Sequence, residues 1–259
     1  MEKKKGISGS TLKMIAIVTM LIDHIGAAVL ARLLMVNGLG ELDQTNTDAI
    51  MQWLSANGAL YGTYTVMRMI GRVAFPIFCF LLVEGFLHTH DVKKYAMRLG
   101  LFALLSEIPF DLAFSSKILE FNYQNVFFTL FIGLLTMIAY RAVEEKEEWG
   151  QAWKVILYIL IVAAGMALAY FLKTDYAEKG VFCIMVLYIF RKKKMWQLIA
   201  GCASFIWETP ALFGFIPIAF YNGTRGWKMK HFFYIFYPAH LLILYLLCYF
   251  MGISGYSAV

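Results

Sequence analysis

Ionisable side chains lie inside otherwise apolar stretches of this chain. The first such stretch carries Asp23 and His24, and the last carries His240 together with Tyr237. A charge in the hydrocarbon of a membrane costs at least about 2.5–3.5 kcal/mol, so residues of this kind need partners and are functional candidates by default. A histidine, with an ordinary pKa of about 6.5, is suited to proton transfer at neutral pH.

Two further apolar stretches carry charges at a spacing of four residues. Arg68 and Arg72 form one such pair, and Glu107 and Asp111 form the other. Residues at i and i+4 share one face of a helix, so a face with two arginines can neutralise a face with two carboxylates. We therefore expect Arg72 to be buried beside a carboxylate, Glu107 above all.

Depth along each helix indicates that these side chains meet. At about 1.5 Å per residue, four of them lie near one level in the middle of the membrane. The sequence thus predicts one polar chamber formed by His24, Arg72, Glu107 and His240.

Purely structural interpretations stay open for each of these residues. Arginine–carboxylate pairs in membranes can serve only to fix helix packing, and a histidine can simply bond a backbone carbonyl. Glu84, near the inner surface, can be a solvated helix end.

The elements that position these residues are membrane-spanning helices. The chain is 61% hydrophobic and only 15% charged, whereas a soluble domain is about half apolar and a quarter charged. Apolar runs of about 20 residues are long enough to span a bilayer. We predict an all-α, polytopic helical bundle of about 8–10 transmembrane helices that forms one domain over residues 1–259. The predicted spans are 12–35, 64–87, 95–114, 125–142, 152–172, 180–190, an interrupted pair at 195–208 and 211–222, and 231–252.

Lysine and arginine set the expected orientation. If the N-terminus is cytoplasmic and the spans alternate, most of the 23 basic residues fall on the inside, and the long outside loop 36–63 carries no base. This asymmetry follows the positive-inside rule. The net charge of +6 is therefore a topology signal and gives no reason to expect nucleic acid. The basic run at 191–194 is expected to be a juxtamembrane anchor in contact with lipids.

Other kinds of site lack support in the sequence. The four cysteines lie singly in apolar runs, as small buried hydrophobic residues do. No Cys/His ligand spacing predicts a metal, and no Walker or GxGxxG loop predicts a nucleotide motor.

Five segments, in order along nearly the whole chain, resemble the TraX family, named for the conjugative-pilus protein that acetylates the pilin N-terminus. The segments are LKMIAIVTMLIDHIG at 12–26, GRVAFPIFCFLLVEGFLHT at 71–89, RLGLFALLSEIPFDL at 98–112, NVFFTLFIG at 125–133 and YNGTRGWKMKHFFYIFYPAHLLILYL at 221–246. The first is also similar to the opening helix of the wider membrane-bound acyltransferase families. The loop 36–63 and the region 143–180 match no motif.

The resemblance implies an acetyl-CoA-dependent acyltransferase in the plasma membrane of a bacterium. His24 is then the candidate general base, with Asp23 or Glu107 orienting its imidazole and Arg72 or Tyr237 as oxyanion donors. Basic residues at inner helix ends are expected to hold cytoplasmic acetyl-CoA. These residues are Lys93, Arg98, Arg225 and Lys230.

Several points stay open at this stage. The sequence does not decide whether His24 or His240 is the base. The acceptor can be an amine or a hydroxyl of a peptide, a protein such as a pilin, or a surface glycan. A transporter or channel that uses the buried charges as a proton or substrate pathway is an alternative, because the interruption at Pro210 suits that class. A non-catalytic assembly factor for pili or secretion is a third.

Overall fold

The computed structural model describes residues 5–227 and 230–257. Every regular element within that part of the chain is a helix, and two isolated bridges pair Ile7 with Tyr221 and Gln124 with Thr174. The predicted all-α class is confirmed. The helices are α1 (Gly9–Ile25), α2 (Ala31–Val36), α3 (Thr47–Gly71), α4 (Ala74–His88), α5 (Val92–Ser115), α6 (Val126–Glu144), α7 (Gln151–Phe171), α8 (Ala177–Ile189), α9 (Lys194–Ser204), α10 (Phe215–Ala219) and α11 (Lys230–Phe250).

Helices α1 and α2 form one continuous rod of 28 residues, Gly9–Val36. They are joined by a π-helical turn, Gly26–Leu30, in which the N–H of Ala31 bonds the carbonyl of Gly26. A π turn inserts one residue into the helical repeat and often accompanies a functional site. Here it begins two residues after His24, so it shifts the C-terminal part of the rod relative to the part that carries Asp23 and His24.

The predicted span 64–87 is broken in the structure. Helix α3 ends at Gly71 and α4 begins at Ala74. Pro76 has no N–H to donate to the carbonyl of Arg72, and its ring crowds that carbonyl, which favours a break in the helix at this point. The break places Arg72 at a helix end rather than inside a rod.

The prediction of a loop over 36–63 is also wrong for much of that stretch. Helix α3 already begins at Thr47, where the side chain of Asn46 accepts the N–H of Ala49. The polar residues of this stretch hid a helix from a search for apolar runs, although an N-cap asparagine is a helix start signal.

Five helices or merged pairs are long and apolar enough to cross a membrane within the described part of the chain. They are Gly9–Val36, Thr47–His88, Val126–Glu144, Gln151–Phe171 and Phe232–Phe250. The protein is therefore a multi-pass membrane protein, as predicted, while the predicted total of about 8–10 spans and the orientation stay predictions.

The predicted interruption near Pro210 is present. Helix α9 has 11 residues, or roughly 16 Å, and is followed by a 3₁₀ turn, Thr209–Gly214, and the short α10. Neither piece reaches the roughly 30 Å of a hydrocarbon core. This segment packs on α4 and brings Glu208 towards the helix break at Arg72.

The helices pack as two apolar groups that α4 and α6 connect. One core cluster lies mainly among α4, α6 and α8, and the other lies among α1, α5 and α11. At the N-terminal end, the segment after α10 crosses the start of α1, where the carbonyls of Thr224 and Arg225 accept the N–H groups of Gly9 and Ser10. Gly226 has φ +71°, and a Cβ there would collide with Ser10, so this crossing requires glycine.

Candidate functional site

The two intramembrane histidines are in direct contact. His24 lies on α1 and His240 on α11, and His24 Nδ1 is 2.7 Å from His240 Nε2. The two rings are nearly parallel. The expectation that both imidazoles lie at one level is confirmed, and α1 and α11 are the elements that bring them together.

A backbone carbonyl fixes the direction of this hydrogen bond. His240 Nδ1 lies 2.8 Å from the carbonyl oxygen of Phe236. A carbonyl only accepts, so His240 Nδ1 carries the proton in the neutral pair, and His240 Nε2 is an acceptor. The His24 Nδ1–H group then donates to His240, which leaves His24 Nε2 unprotonated with a free lone pair.

His24 faces a cavity of about 110 Å³ that we call the histidine cavity. His240 does not line this cavity, so it contacts the His24 ring on the side that faces away from the cavity. The polar side chains that line this cavity are Asp23, His24, Tyr64, Arg68, Arg72, Tyr123, Asp175 and Tyr176, and the rest of the lining consists of four phenylalanines and of small or aliphatic residues. A volume of this size holds a few water molecules or a small organic group.

Asp23 is paired with an arginine rather than with His24. Its Oδ2 accepts a hydrogen bond of 2.7 Å from Arg68 Nη1, while Oδ1 is buried with no protein partner. A Cβ on Gly71 would lie 2.1 Å from Asp23 Cβ, so the carboxylate fits only because position 71 is glycine. The predicted role of Asp23 in orienting His24 is therefore taken by His240, which is the side chain that contacts the imidazole.

Arg72 does not pair with Glu107, contrary to the prediction. Its Nε lies 3.5 Å from Glu208 Oε1, and its Nη1 lies 3.5 Å from the hydroxyl of Tyr176. The helix break at Gly71–Ala74 turns Arg72 towards the segment after α9. Arg72 still lines the histidine cavity, so its predicted place at the site holds although its partner was wrong.

Glu107 and Asp111 serve the connection between α5 and α6. The side-chain amide of Asn125 donates to Glu107 Oε2, and the backbone N–H of Glu120 donates to Asp111 Oδ2 at 2.8 Å. Both side chains are buried, and neither lines the histidine cavity. The predicted face-to-face pairing of two arginines with two carboxylates is thus wrong, because Asn125 and the backbone of the connection bond one oxygen of each carboxylate, while Glu107 Oε1 and Asp111 Oδ1 are buried without a protein partner.

Tyr237 packs beside the histidine pair. Its ring centroid lies 5.9 Å from that of His24 and 5.6 Å from that of His240, edge-on in both cases. The ring is 3% exposed and is not part of the cavity lining. These edge-on contacts limit rotation of the two imidazole rings. The predicted role of Tyr237 as an oxyanion donor stays a prediction.

A strained connection brings a second carboxylate into the cavity. Lys173, Tyr176 and Ala177 all have positive φ, at 52°, 62° and 41°, although none is glycine. Such conformations cost about 1–3 kcal/mol each and concentrate at functional sites. They turn Asp175 and Tyr176 inward, where Tyr123 donates to Asp175 at 2.6 Å and Tyr176 stacks on Phe75.

Burial raises the pKa of Asp175 above its ordinary value, because loss of water penalises the charged carboxylate. The hydrogen bond from Tyr123 and the charges of Arg72 and Arg68 oppose that effect. The charged form of this carboxyl group is therefore disfavoured at this position, and carboxyl groups with shifted pKa values are often found at functional sites.

Sequence reasoning missed Asp175, Tyr176 and Glu208. All three lie where an apolar run ends, and the region around Asp175 matched no motif. Glu208 sits in the predicted interruption, two residues before Pro210, and a charge at such a break was the available signal.

A second and larger cavity, of about 530 Å³, opens near the N-terminus of α1. We call it the basic cavity. It is lined by Lys13, Arg98 and Arg225, by Glu84 and His88 of α4, by aromatic residues that include Tyr95, Trp227 and Tyr234, and by apolar residues of α4 and α6. Arg98 Nε is buried there without a protein partner, which leaves a donor for an anion.

Two of the four basic residues predicted to hold acetyl-CoA lie at this cavity, and their role stays a prediction. Arg98 and Arg225, which are far apart in sequence, both line it. Lys93 does not line it, because the residue occupies a different face of α5 from Tyr95 and Arg98. Lys13, which was not predicted, does line it, and the side chain of Lys230 lies outside the described part of the chain. Among the described residues, no cluster of three or more His, Cys, Asp or Glu is placed to hold a metal ion.

Comparison with known proteins places these features in a family. Residues 8–248 match the family model described as TraX protein. The chain is 25% identical over 278 aligned positions to the "Probable fimbrial assembly protein FimC, serogroup H1" of Dichelobacter nodosus, covering 94% of this chain and 97% of that protein. No solved structure matches this chain significantly. Because the family model spans nearly the whole chain, this multi-pass membrane protein belongs to the TraX protein family.

Proposed function

We propose that this protein is an integral membrane acyltransferase that moves an acetyl group from acetyl-CoA to an amine or hydroxyl. The observation that carries the proposal is the hydrogen-bond chain from the Phe236 carbonyl through His240 to His24. It presents an unprotonated His24 Nε2 to a small cavity, as a general base requires.

In the proposed reaction, His24 Nε2 takes up a proton from the amine or hydroxyl that receives the acetyl group. The nitrogen or oxygen of that amine or hydroxyl forms a bond to the thioester carbonyl carbon as its proton leaves. The tetrahedral intermediate then collapses, the carbon–sulfur bond breaks, and the proton passes from His24 to the leaving CoA sulfur. The oxyanion needs donors, and Arg68 and Arg72 line the same cavity.

The basic cavity is the proposed entry for acetyl-CoA. Its volume falls within the range of ligand sites, and Lys13, Arg98 and Arg225 supply positive charge for the phosphates of the nucleotide. It opens at the end of the molecule where the N-terminus lies, which the charge distribution predicts to be cytoplasmic. Acetyl-CoA and lipids are the proposed partners, in the plasma membrane of a bacterium.

The acceptor is proposed to be part of a surface structure. The relative from Dichelobacter nodosus carries the name of a fimbrial assembly protein, which favours a pilin-like N-terminus. A surface glycan is the other acceptor class that fits, because a base that deprotonates an amine also serves a hydroxyl.

The test is release of free CoA from acetyl-CoA by the purified protein in detergent. We expect His24-dependent release and a gain in melting temperature with acetyl-CoA but not with buffer alone. Cells with and without the gene are then compared by mass spectrometry of surface proteins and glycans for a missing acetyl mass. A wild-type protein that neither binds acetyl-CoA nor releases CoA contradicts the proposal.

A non-catalytic role in pilus assembly is the second candidate, favoured by the name of that same relative. The two differ in what they require of His24. If a His24→Ala protein made at the wild-type level still supports surface assembly with unchanged acetylation, the assembly role is preferred.

A further inference from the structure

We propose that Phe78 on α4 sets the length of the acyl group that reaches His24. This inference rests on the proposed acyltransferase function and adds a specificity-determining residue to it. It starts from the relation between the two cavities: Phe78 is the residue that lines both of them within the described part of the chain.

One face of α4 runs from the histidine cavity to the basic cavity. Ala74 and Phe75, four and three residues before Phe78, line the histidine cavity. Leu81 and Leu82, three and four residues after it, line the basic cavity. Residues at these spacings share a helix face, so Phe78 stands at the point where one cavity gives way to the other.

Helix α6 contributes the same kind of boundary. Val126 lines the histidine cavity, and its neighbour Phe127 lines the basic cavity. Phe78, Val126 and Phe127 also pack against both apolar core clusters. Phe78 and α6 therefore form an apolar boundary between the two cavities, and in this proposal the boundary is the constriction that the acyl group must pass.

The chemistry makes this constriction a measure of chain length. In the proposed reaction, the nucleotide end stays with Lys13, Arg98 and Arg225, while the thioester carbonyl must reach His24 in a space of about 110 Å³. A two-carbon acyl group brings little bulk past Phe78. Each additional methylene must displace the ring or find room in a cavity already lined by aromatic residues, and one methylene changes discrimination by about 10- to 200-fold in a tight apolar site.

The experiment measures CoA release from acetyl-, butyryl- and hexanoyl-CoA by purified protein in detergent, with water as the acceptor. Because the natural acceptor is not required, the chain-length profile is read independently of acceptor recognition. The variants are Phe78→Leu and Phe78→Ala, which enlarge the passage, and Phe78→Trp, which narrows it.

A matched control comes from the same helix. Phe86 is fully buried, packs against Tyr188 and lines neither cavity. Phe86→Leu removes the same atoms as Phe78→Leu, so it reports any general effect of loosening α4. Melting temperatures identify variants that fail to fold.

We expect Phe78→Leu and Phe78→Ala to raise the hexanoyl-to-acetyl ratio of kcat/KM at least about 10-fold, with the profile of Phe86→Leu unchanged. Phe78→Trp should lower release from every thioester, and most for hexanoyl-CoA. A folded Phe78→Leu protein with the wild-type profile overturns this inference alone. Absence of any His24-dependent release by the wild-type protein overturns the proposed function with it.

Discussion

Replacing each histidine of the pair separately tests the direction of their hydrogen bond. His24→Ala removes the nitrogen that takes the proton, and loss of a general base lowers the rate by about 10²–10⁴-fold. At about 1.36 kcal/mol per tenfold, that corresponds to roughly 2.7–5.4 kcal/mol of barrier. Binding of acetyl-CoA should be nearly unchanged, because the basic cavity does not contain His24.

His240→Ala has a smaller and separable expected effect. It removes the acceptor of the His24 Nδ1–H group, which lies 2.7 Å away. A buried donor left without a partner costs about 1–3 kcal/mol, which is roughly a 5- to 150-fold loss of rate. The loss arises because the ring of His24 is no longer held with Nε2 towards the cavity.

His240→Gln provides the matched rescue. A glutamine side chain places an amide oxygen near the position of His240 Nε2 and can accept from His24 Nδ1–H, although it cannot take up a proton. We expect His240→Gln to recover most of the rate lost in His240→Ala, whereas His24→Gln stays as inactive as His24→Ala. The assay is CoA release from acetyl-CoA, with ¹⁵N chemical shifts of labelled histidine reporting the tautomers.

Two results would refute this reasoning. If His240→Ala loses as much activity as His24→Ala and His240→Gln does not recover it, then His240 takes part in the proton transfer itself and the assignment of His24 alone as the base is wrong. If both alanine variants turn over acetyl-CoA at the wild-type rate while folded, the pair has no part in the reaction.

Three other predictions concern further charged residues inside the protein. Arg32 is fully buried and donates to backbone carbonyls of several segments. Arg32→Leu leaves these acceptors unsatisfied and should lower the free energy of unfolding by at least about 2 kcal/mol, seen as a lower melting temperature in detergent. An unchanged melting temperature contradicts these hydrogen bonds. Arg68→Leu leaves the carboxylate of Asp23 without its arginine partner and should lower the free energy of unfolding by about 3–5 kcal/mol. The double variant Arg68→Leu with Asp23→Asn should recover most of that stability. Equal losses of stability in the single and double variants contradict this ion pair. Burial raises the pKa of Asp175 in the folded state, so its carboxyl group stabilises the fold most below its unfolded pKa, and that contribution is lost as pH rises through the folded pKa. The Asp175→Asn protein should therefore melt at or above the wild-type temperature at pH 7.5 while losing activity. A marked drop in its melting temperature at that pH contradicts the view that the charged carboxylate is destabilising.

Periodicity and composition were sufficient for the membrane class and for most helix positions, because long apolar runs have few other stable uses. The interruption near Pro210 could be predicted for a similar reason, since a proline that follows the polar residues Glu208 and Thr209 is a helix-breaking signal, although α5 and α11 run through Pro109 and Pro238. Helix α3 could not be found in this way. Its N-terminal half is interrupted by polar residues, and only the cap at Asn46 marks where it begins.

The location of the histidines could be predicted, but their partners could not. Depth along a helix depends only on residue number, so His24 and His240 were correctly placed at one level. Pairing depends on rotation about each helix axis and on breaks, which sequence spacing does not give. Arg72 was assigned to Glu107, but the break before Pro76 turns it towards Glu208.

The sequence by itself therefore determined which residues are costly in a membrane, and the tertiary structure decided what each contacts. Asp175 illustrates the reason. Nothing in its local pattern distinguishes it from a solvated loop residue, since its burial comes from three residues with positive φ and from contacts with distant segments at Tyr123 and Gln124. Contacts between segments far apart in the chain form only when the helices pack, and they alone turn a carboxylate at a helix end into part of a cavity beside His24.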